Sequence, residues 1–242
     1  MKITDNLSLV ASGALSLHLT HESDCNAYLL EGREGSILID GGTGLDPEET
    51  FRLLDRHLRK PLTWLLVTHH HADHIGGLAG IQRRFGGCIL VPEGERQSIE
   101  AGDERATGLD IARAAGYYPP DYHIAPCPVQ GSVRPGQTLT LAGEEITVYS
   151  AAGHSPGGVC YLFPEYGMLF SGDLVMRGGC INLQNIPGAN LRAYAESVQT
   201  LAQAEFTQFF PGHGCFSLKG GRDHVRAAAE QFRRLAVPRN FI

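Results

Sequence analysis

The chain has 242 residues, of which 43% are hydrophobic and 19% charged, and its formal net charge is −6. This is ordinary globular composition, and the length is enough for one large domain or two small ones. Lysine and arginine residues are scattered along the chain. Because binding to phosphate backbones normally leaves a basic footprint, we expect no nucleic-acid partner.

The cysteines indicate a reducing compartment. Six of them are spaced singly, without a CxxC pair, so they do not predict a disulfide framework. No apolar run approaches the roughly 18 residues that cross a membrane. The amino-terminal stretch also lacks the features of a signal peptide, since serines and a glycine interrupt residues 7–19. We therefore expect a cytoplasmic protein with no membrane partner, and the sequence leaves a homo-oligomer open.

Strands and helices alternate through the first ninety residues. A helix begins at Asp46, a capping residue, followed by Pro47 at the first helical position, and it ends before Pro61. A second helix is predicted over 75–85. Short apolar runs predict strands at 27–30, 37–39, 64–67 and 88–91. This alternation is typical of a sheet layered against helices.

Residues 93–126 interrupt that rhythm. They are mostly polar, favour helix, and indicate an insertion over one edge of the core, where loops often carry substrate specificity. Beyond them strands dominate again, with helices over 191–202 and 222–235. The predicted strands of this half are 138–141, 146–149, 159–163, 168–170 and 206–210. Two strand-rich halves with helices predict two face-to-face sheets with helices outside, in one domain spanning 1–242.

The strongest chemical signal is at residues 69–74, which read HHHADH and contain the pattern H-x-H-x-D-H. In an extended segment, residues two apart point to the same side, so His69 and His71 can bind one ion together. Where the chain turns into the next helix, Asp73 and His74 can face a second ion. Imidazole and carboxylate ligands of this kind suit zinc or iron.

Three later turns supply further candidate ligands. His154 lies in a glycine-rich turn after a strand, Asp173 directly follows another strand, and His213 stands between two glycines after a third. Each alone is an ordinary strand-end turn, because Gly, Pro, Asp and His all tolerate turns. Together they extend the metal-binding pattern of residues 69–74.

This set of motifs resembles the metallo-β-lactamase fold superfamily, whose dinuclear members show H-x-H-x-D-H and then a histidine, an aspartate and a histidine. The resemblance covers nearly the whole chain, from CNAYLL at residues 25–30 and ILIDGG at 37–42 to the PGH that ends at His213. It implies an α/β fold, a four-layer αββα sandwich with metals at the mouth between the sheets.

The resemblance also implies a dinuclear centre holding two divalent metal ions, most simply zinc, with iron or manganese as alternatives. One ion takes three histidines, the other takes an aspartate and two histidines, and Asp173 bridges the two. In that order the ligands are His69, His71 and His154, then Asp73, His74 and His213.

The implied mechanism follows from the positive charge of the two metal ions. Two divalent ions lower the pKa of a bridging water, which falls to about 7 at a single zinc, so that hydroxide is available to attack an acyl carbon or phosphorus. Asp73 and Asp173 are the catalytic candidates, and Asp73 is placed to orient the nucleophile and carry its proton. Asp40, at the end of its strand, either fixes a ligand imidazole or caps the turn before Gly41.

The sequence favours a compact hydrolase of a small ester, thioester or lactone. Glyoxalase II enzymes share the motifs but append a helical domain, lactonases carry a tyrosine after the bridging aspartate, and exported β-lactamases normally lack that aspartate. A phosphodiesterase, a β-lactam hydrolase, a mononuclear iron sulfur dioxygenase and a non-catalytic binding module are the alternatives. Residues 93–126 and 176–190 are the expected pocket walls, with Arg177, Asn182 and Asn190 as candidate substrate contacts.

Overall fold

Two β-sheets form the centre of the computed structural model, which describes residues 1–242. The first sheet has six strands in the order β1-β2-β3-β4-β5-β6, antiparallel from β1 to β3 and parallel from β3 to β6. Its strands are β1 (Leu7–Ala11), β2 (Ala27–Glu31), β3 (Ser36–Ile39), β4 (Leu62–Leu66), β5 (Cys88–Pro92) and β6 (Gly131–Val133).

The second sheet has five strands in the order β11-β10-β9-β8-β7. Its strands are β7 (Thr138–Leu141), β8 (Glu144–Ser150), β9 (Val159–Phe163), β10 (Met168–Gly172) and β11 (Gln208–Pro211). Neighbouring strands from β7 to β10 are antiparallel, and β10 pairs with β11 in parallel.

Helices lie in both halves of the chain. They are α1 (Pro47–His57), α2 (Ala72–Ile75), α3 (Leu78–Phe85), α4 (Arg96–Ala101), α5 (Leu109–Ala114), α6 (Leu191–Leu201) and α7 (Gly221–Arg233). None of these helices is long and apolar enough to cross a membrane.

Three apolar clusters separate four layers. The central cluster lies between the sheets, where Tyr28 of β2 meets Phe170 and Phe210 of the second sheet with ring centroids 5.4 Å apart. A second cluster joins the first sheet to α1 and α3, and a third joins the second sheet to α6 and α7. The two sheets therefore face each other with helices outside, which confirms the predicted αββα sandwich.

The predicted helix over 75–85 is divided in two. The chain leaves α2 at Gly76 and Gly77 before α3 begins. A Cβ atom on Gly76 would lie 2.1 Å from the hydroxyl of Tyr122 and 2.2 Å from the carbonyl oxygen of Thr43. The close approach of these two segments, which are distant in sequence, explains why helical periodicity alone did not reveal the break.

Two strands and one cap also differ from expectation. Strands β1 and β6 were not predicted, because β1 lies in a stretch broken by small residues and β6 has only three residues. Asp46 does occupy the N-cap position of α1, but its side chain makes no capping hydrogen bond. The proline at the first turn starts this helix without that contact.

Candidate metal centre

The seven predicted ligands lie in segments that directly follow strands of both sheets. Residues 69–74 follow β4 of the first sheet, whereas the other three loops follow β8, β10 and β11 of the second. Six of the side chains belong to buried residues, and only Asp73 is partly exposed. The strand ends of the two sheets thus bring together residues that are up to 144 positions apart, namely His69, His71, Asp73, His74, His154, Asp173 and His213.

A first cluster consists of three histidines. One ring nitrogen from each of His69, His71 and His154 lies within 4.8 Å of the other two. The Nε2 atom of His69 is 3.1 Å from Nδ1 of His71, as expected for residues two apart on an extended segment. The arrangement is that of a three-nitrogen cation site.

A second cluster contains Asp73, His74 and His213, whose donor atoms also lie within 4.8 Å of one another. The Oδ2 atom of Asp73 is 2.9 Å from Nε2 of His213 and 3.6 Å from Nε2 of His74. In a tetrahedral site with metal–ligand bonds of about 2.0–2.1 Å, neighbouring donor atoms are roughly 3.4 Å apart. These spacings fit a metal ion.

Asp173 lies between the two clusters. Its Oδ1 atom is 3.4 Å from Nε2 of His74, in the second cluster, and its Oδ2 atom is 3.5 Å from Nε2 of His154, in the first. Oδ2 is also 3.5 Å from Nε2 of His213. One carboxylate therefore faces both clusters at the spacing of shared ligands.

Unpartnered buried atoms indicate that the site suits cations. Nε2 of His74, Nε2 of His154 and Oδ1 of Asp173 are buried and have no hydrogen-bond partner. Leaving a buried polar atom unsatisfied costs about 1–3 kcal/mol, so three such atoms at one place need an explanation. Their convergence is the arrangement that metal coordination satisfies.

The protonation states of His69, His71 and Asp173 are those of metal ligands, whereas acidic neighbours outweigh burial and raise the pKa values of His74 and His213. Burial, reinforced by neighbouring imidazoles, holds the pKa values of His69 and His71 well below the usual range, which keeps both rings neutral. Burial acts to raise the pKa of Asp173, but the imidazoles of His213 and His74 outweigh it and lower that pKa. Neutral nitrogens and an ionised carboxylate are the forms that bind metals.

Asp40 fixes the ring of His74. Its Oδ2 atom is 2.8 Å from Nδ1 of His74, so that Nε2 points towards the metal centre. The same carboxylate accepts hydrogen bonds from the backbone N–H and the hydroxyl of Thr68, each at 2.8 Å. Of the two roles expected for Asp40, the structure shows the contact with an imidazole, that of His74.

The three candidate substrate contacts have different surroundings. Asn182 is buried and donates a hydrogen bond to Oδ2 of Asp173 at 2.8 Å. Asn190 caps α6 by accepting from the backbone N–H of Ala193, whereas Arg177 is exposed at the surface. Asn182 therefore belongs to the interior of the metal centre, and nothing in the local sequence distinguishes it from a solvated loop residue.

Residues 93–126 contact two of the three segments that carry candidate histidine ligands. Glu95 is buried and accepts a hydrogen bond from the backbone N–H of Gly157, three residues after His154. Ser98 lies 2.9 Å from Nδ1 of His70, the histidine that points away from the first cluster. This segment consists of a 3-10 helix, α4, α5 and an extended stretch. It thereby supports the ligand loops from outside.

Comparison with known proteins places this geometry in a family. Residues 22–213 match the family model described as the metallo-beta-lactamase superfamily. The chain is 28% identical to an acyl-coenzyme A thioesterase, MBLAC2, of Gallus gallus, over 88% of this chain and 79% of that protein. It is 36% identical to a hydroxyacylglutathione hydrolase of Rhodobacter capsulatus, over 76% of this chain and 64% of that protein.

Solved structures share the fold. The crystal structure of TTHA1623 in a di-iron-bound form aligns with a TM-score of 0.66 and 29% identity, covering 86% of this chain and 96% of that one. The B3 metallo-beta-lactamase BLEG-1 aligns with a TM-score of 0.74 and 24% identity, covering 92% and 99%. With most of its length matched by the family model and its ligand residues gathered in one place, the chain belongs to the metallo-β-lactamase superfamily and is a metal-dependent hydrolase.

Proposed function

We propose that this protein is a dinuclear hydrolase that cleaves a small thioester, ester or lactone. The observation that carries the proposal is the position of Asp173, whose two oxygens lie 3.4 and 3.5 Å from Nε2 atoms of His74 and His154 in different clusters. A carboxylate that faces both clusters is suited to bridge two ions. We propose zinc as the native metal, with iron or manganese as alternatives, because imidazole and carboxylate ligands suit all three.

The residues around the ions have distinct tasks. When bound, two such ions supply Lewis acidity and lower the pKa of water towards neutrality. Asp73 has a side chain 15% exposed, whereas that of Asp173 is 3% exposed, so Asp73 is the carboxylate that incoming water can reach. Asp73 orients the attacking water and receives its proton. Asp173 and the imidazoles would keep the positively charged ions in place.

A thioester is the substrate class that we favour. Among the relatives, the acyl-coenzyme A thioesterase is matched over most of both chains. A thiolate is a much weaker base than an alkoxide, since the pKa of a thiol is about 8.5. It can therefore leave without a separate group to protonate it, which favours thioesters over simple alkyl esters as substrates of this site. We further propose a cytoplasmic setting with a small molecule as the partner, which suits six cysteines that are all free.

A substrate panel tests the proposal. Enzyme loaded with zinc is assayed against acyl thioesters, p-nitrophenyl esters, lactones, a β-lactam and bis-p-nitrophenyl phosphate. We expect the highest kcat/KM with a thioester and a loss of at least about 100-fold in Asp173→Asn, the scale of losing a group that stabilises the transition state. The matched control is Asp55→Asn, a surface residue paired with Arg84, which should retain full activity.

Other outcomes of the panel overturn the proposal. Preference for the phosphodiester would assign a phosphodiesterase, and preference for the β-lactam would assign a lactamase. In a separate arm, protein purified without added metal is incubated with a thiol, and oxygen uptake with one iron per chain would assign a mononuclear dioxygenase. Each outcome is distinguished by its own product.

A further inference from the structure

Residues 181–183 pass directly beside two ligands of the metal centre. The backbone carbonyl of Asn182 accepts a hydrogen bond from Nδ1 of His154, and the Nδ2 amide of Asn182 donates to Oδ2 of Asp173 at 2.8 Å. The backbone N–H of Asn182 donates to the hydroxyl of Tyr194 at 3.0 Å. A single residue thus contacts one ligand of the first cluster and the carboxylate that lies between the clusters.

The contact to Asp173 is isolated from water. Asn182 is 3% exposed, and its own Oδ1 atom is buried without a hydrogen-bond partner. The orientation of the amide follows from chemistry, because only its NH₂ group can donate to an ionised carboxylate. The amide thus donates to Asp173 although its own acceptor oxygen remains unsatisfied, which costs free energy. We take this as a sign that the contact with the carboxylate determines the position of the side chain.

A second strand-like segment holds residues 181–183 in place. The backbone N–H of Ile181 donates to the carbonyl of Arg239 at 3.0 Å, and the N–H of Phe241 donates to the carbonyl of Ile181 at 2.7 Å. The side chain of Asn240 bonds both the N–H and the carbonyl of Leu183, at 2.9 and 3.0 Å. Because both neighbours of Asn182 are paired, its peptide and side chain have little freedom to move.

We propose that Asn182 is a positioning residue that sets the geometry of both metal sites, an inference that rests on the proposed dinuclear function. Its backbone carbonyl fixes the tautomer of His154 with the proton on Nδ1, which leaves Nε2 free to bind metal. Its amide fixes the rotation of the Asp173 carboxylate, so that Oδ1 lies beside the second cluster and Oδ2 lies beside both. Substitution of the side chain removes the second effect and retains the first, because the carbonyl is part of the backbone.

Metal release tests this inference without any assay of turnover. Zinc-loaded wild type, Asn182→Ala and Asn182→Leu are challenged with a coloured chelator, and the apparent zinc affinity is measured by competition. Loss of a hydrogen-bonding partner of a metal ligand typically weakens metal binding by about 10–100-fold. We expect a loss of that size in both variants, because the carboxylate of Asp173 lies beside both clusters.

Two comparisons separate positioning from general damage. Asn190 lies in the same loop, and its side chain caps α6. Asn190→Ala should therefore lower the melting temperature while leaving zinc affinity unchanged. Leucine has nearly the shape of asparagine but no donor, so if Asn182→Leu binds zinc like wild type, the side chain acts by filling space and the inference is wrong. Unchanged affinity in Asn182→Ala overturns it as well.

The same experiment keeps this inference distinct from the proposed function. The number of ions that wild type releases tests the dinuclear centre, whereas the ratio of variant to wild-type affinity tests Asn182. A wild type that releases one ion contradicts the dinuclear proposal, and the affinity ratio at that ion still confirms or overturns the role of Asn182.

Discussion

Asp40 adopts a backbone conformation that side chains rarely occupy. Its φ angle is +61°, in the left-handed region, where aspartate and asparagine are tolerated better than most residues. This turn aims the carboxylate back at Thr68 and at Nδ1 of His74. The backbone is therefore bent at this residue in a way that orients a candidate metal ligand.

Substitution of Asp40 tests that role. Asp40→Asn retains the tolerance for a positive φ but replaces the charged acceptor that orients His74, so we expect zinc to bind about 10–100-fold more weakly. Chelator competition is the measurement. Asp46→Asn is the matched control, because Asp46 is exposed and makes no capping bond. Equal zinc affinity in wild type and Asp40→Asn would show that His74 is oriented by other contacts.

The hydroxyl of Tyr194 joins three backbone groups in the interior. It accepts from the N–H of Asn182 and faces the carbonyls of Asp173 and Leu174. Tyr194→Phe leaves these groups without that partner, and we expect a loss of about 1–3 kcal/mol in the free energy of unfolding, measured by urea denaturation. Tyr117→Phe, at a side chain that is 73% exposed, should change stability little, and equal stabilities would refute the role of the buried hydroxyl.

The residues that could be predicted from the sequence are clustered histidines and aspartates, which are uncommon outside metal-binding and catalytic sites. The pattern at 69–74 places four ligand-type side chains at fixed spacing, and each of the three later turns follows a strand. Asn182 was predicted only as a substrate contact and Thr68 was not singled out, because amides and hydroxyls are common in loops and their partners are not sequence neighbours. What such a side chain contacts depends on how distant segments pack, which no local pattern records.

At the scale of elements, the His154 loop is pressed against the start of α6. Gly153 has a φ of +121°, and a Cβ atom there would lie 2.3 Å from the backbone nitrogen of Tyr194 and 2.4 Å from its Cα. The backbone N–H of Asn190 also donates to the carbonyl of Gly153 at 2.9 Å. The loop can bring His154 into the first cluster only because this residue has no side chain.

Gly153→Ala should therefore displace either the loop or the helix. We expect a loss of about 1–3 kcal/mol in the free energy of unfolding from overpacking, together with weaker zinc binding. Gly136→Ala distinguishes steric overlap from backbone strain as the cause. Gly136 also has a positive φ (+86°), but nothing lies within 4 Å of an added Cβ. Equal losses in the two variants, by denaturation and chelator competition, would mean that conformational strain alone is responsible.

The elements themselves were predicted in proportion to their length and periodicity. Helices α1, α6 and α7 and most strands lie where the apolar patterns predicted them. The break between α2 and α3 and the short strand β6 depend on contacts with distant segments, namely the approach of Tyr122 to Gly76 and the pairing of β6 with β5. Tertiary contacts of this kind leave no trace in local hydrophobic periodicity.

Over the whole molecule, the candidate metal centre lies where the two sheets meet. Four candidate ligands come from the segment after β4 of the first sheet, and three come from loops of the second, at His154, Asp173 and His213. Ions bound there would link the two halves of the sandwich at their common edge. Since a ligand that binds only the folded state stabilises it by mass action, stability and metal content should rise together.

The proposed dinuclear centre requires that this edge hold two ions with Asp173 between them. The most direct measurement is the number of zinc ions per chain, by elemental analysis after loading and removal of excess metal, in wild type and in Asp173→Ala. We predict about two ions in wild type and at most about one in the variant, because the variant lacks the carboxylate shared by both clusters. One ion per chain in wild type would contradict the dinuclear centre, and two ions in Asp173→Ala would contradict the bridging role of Asp173.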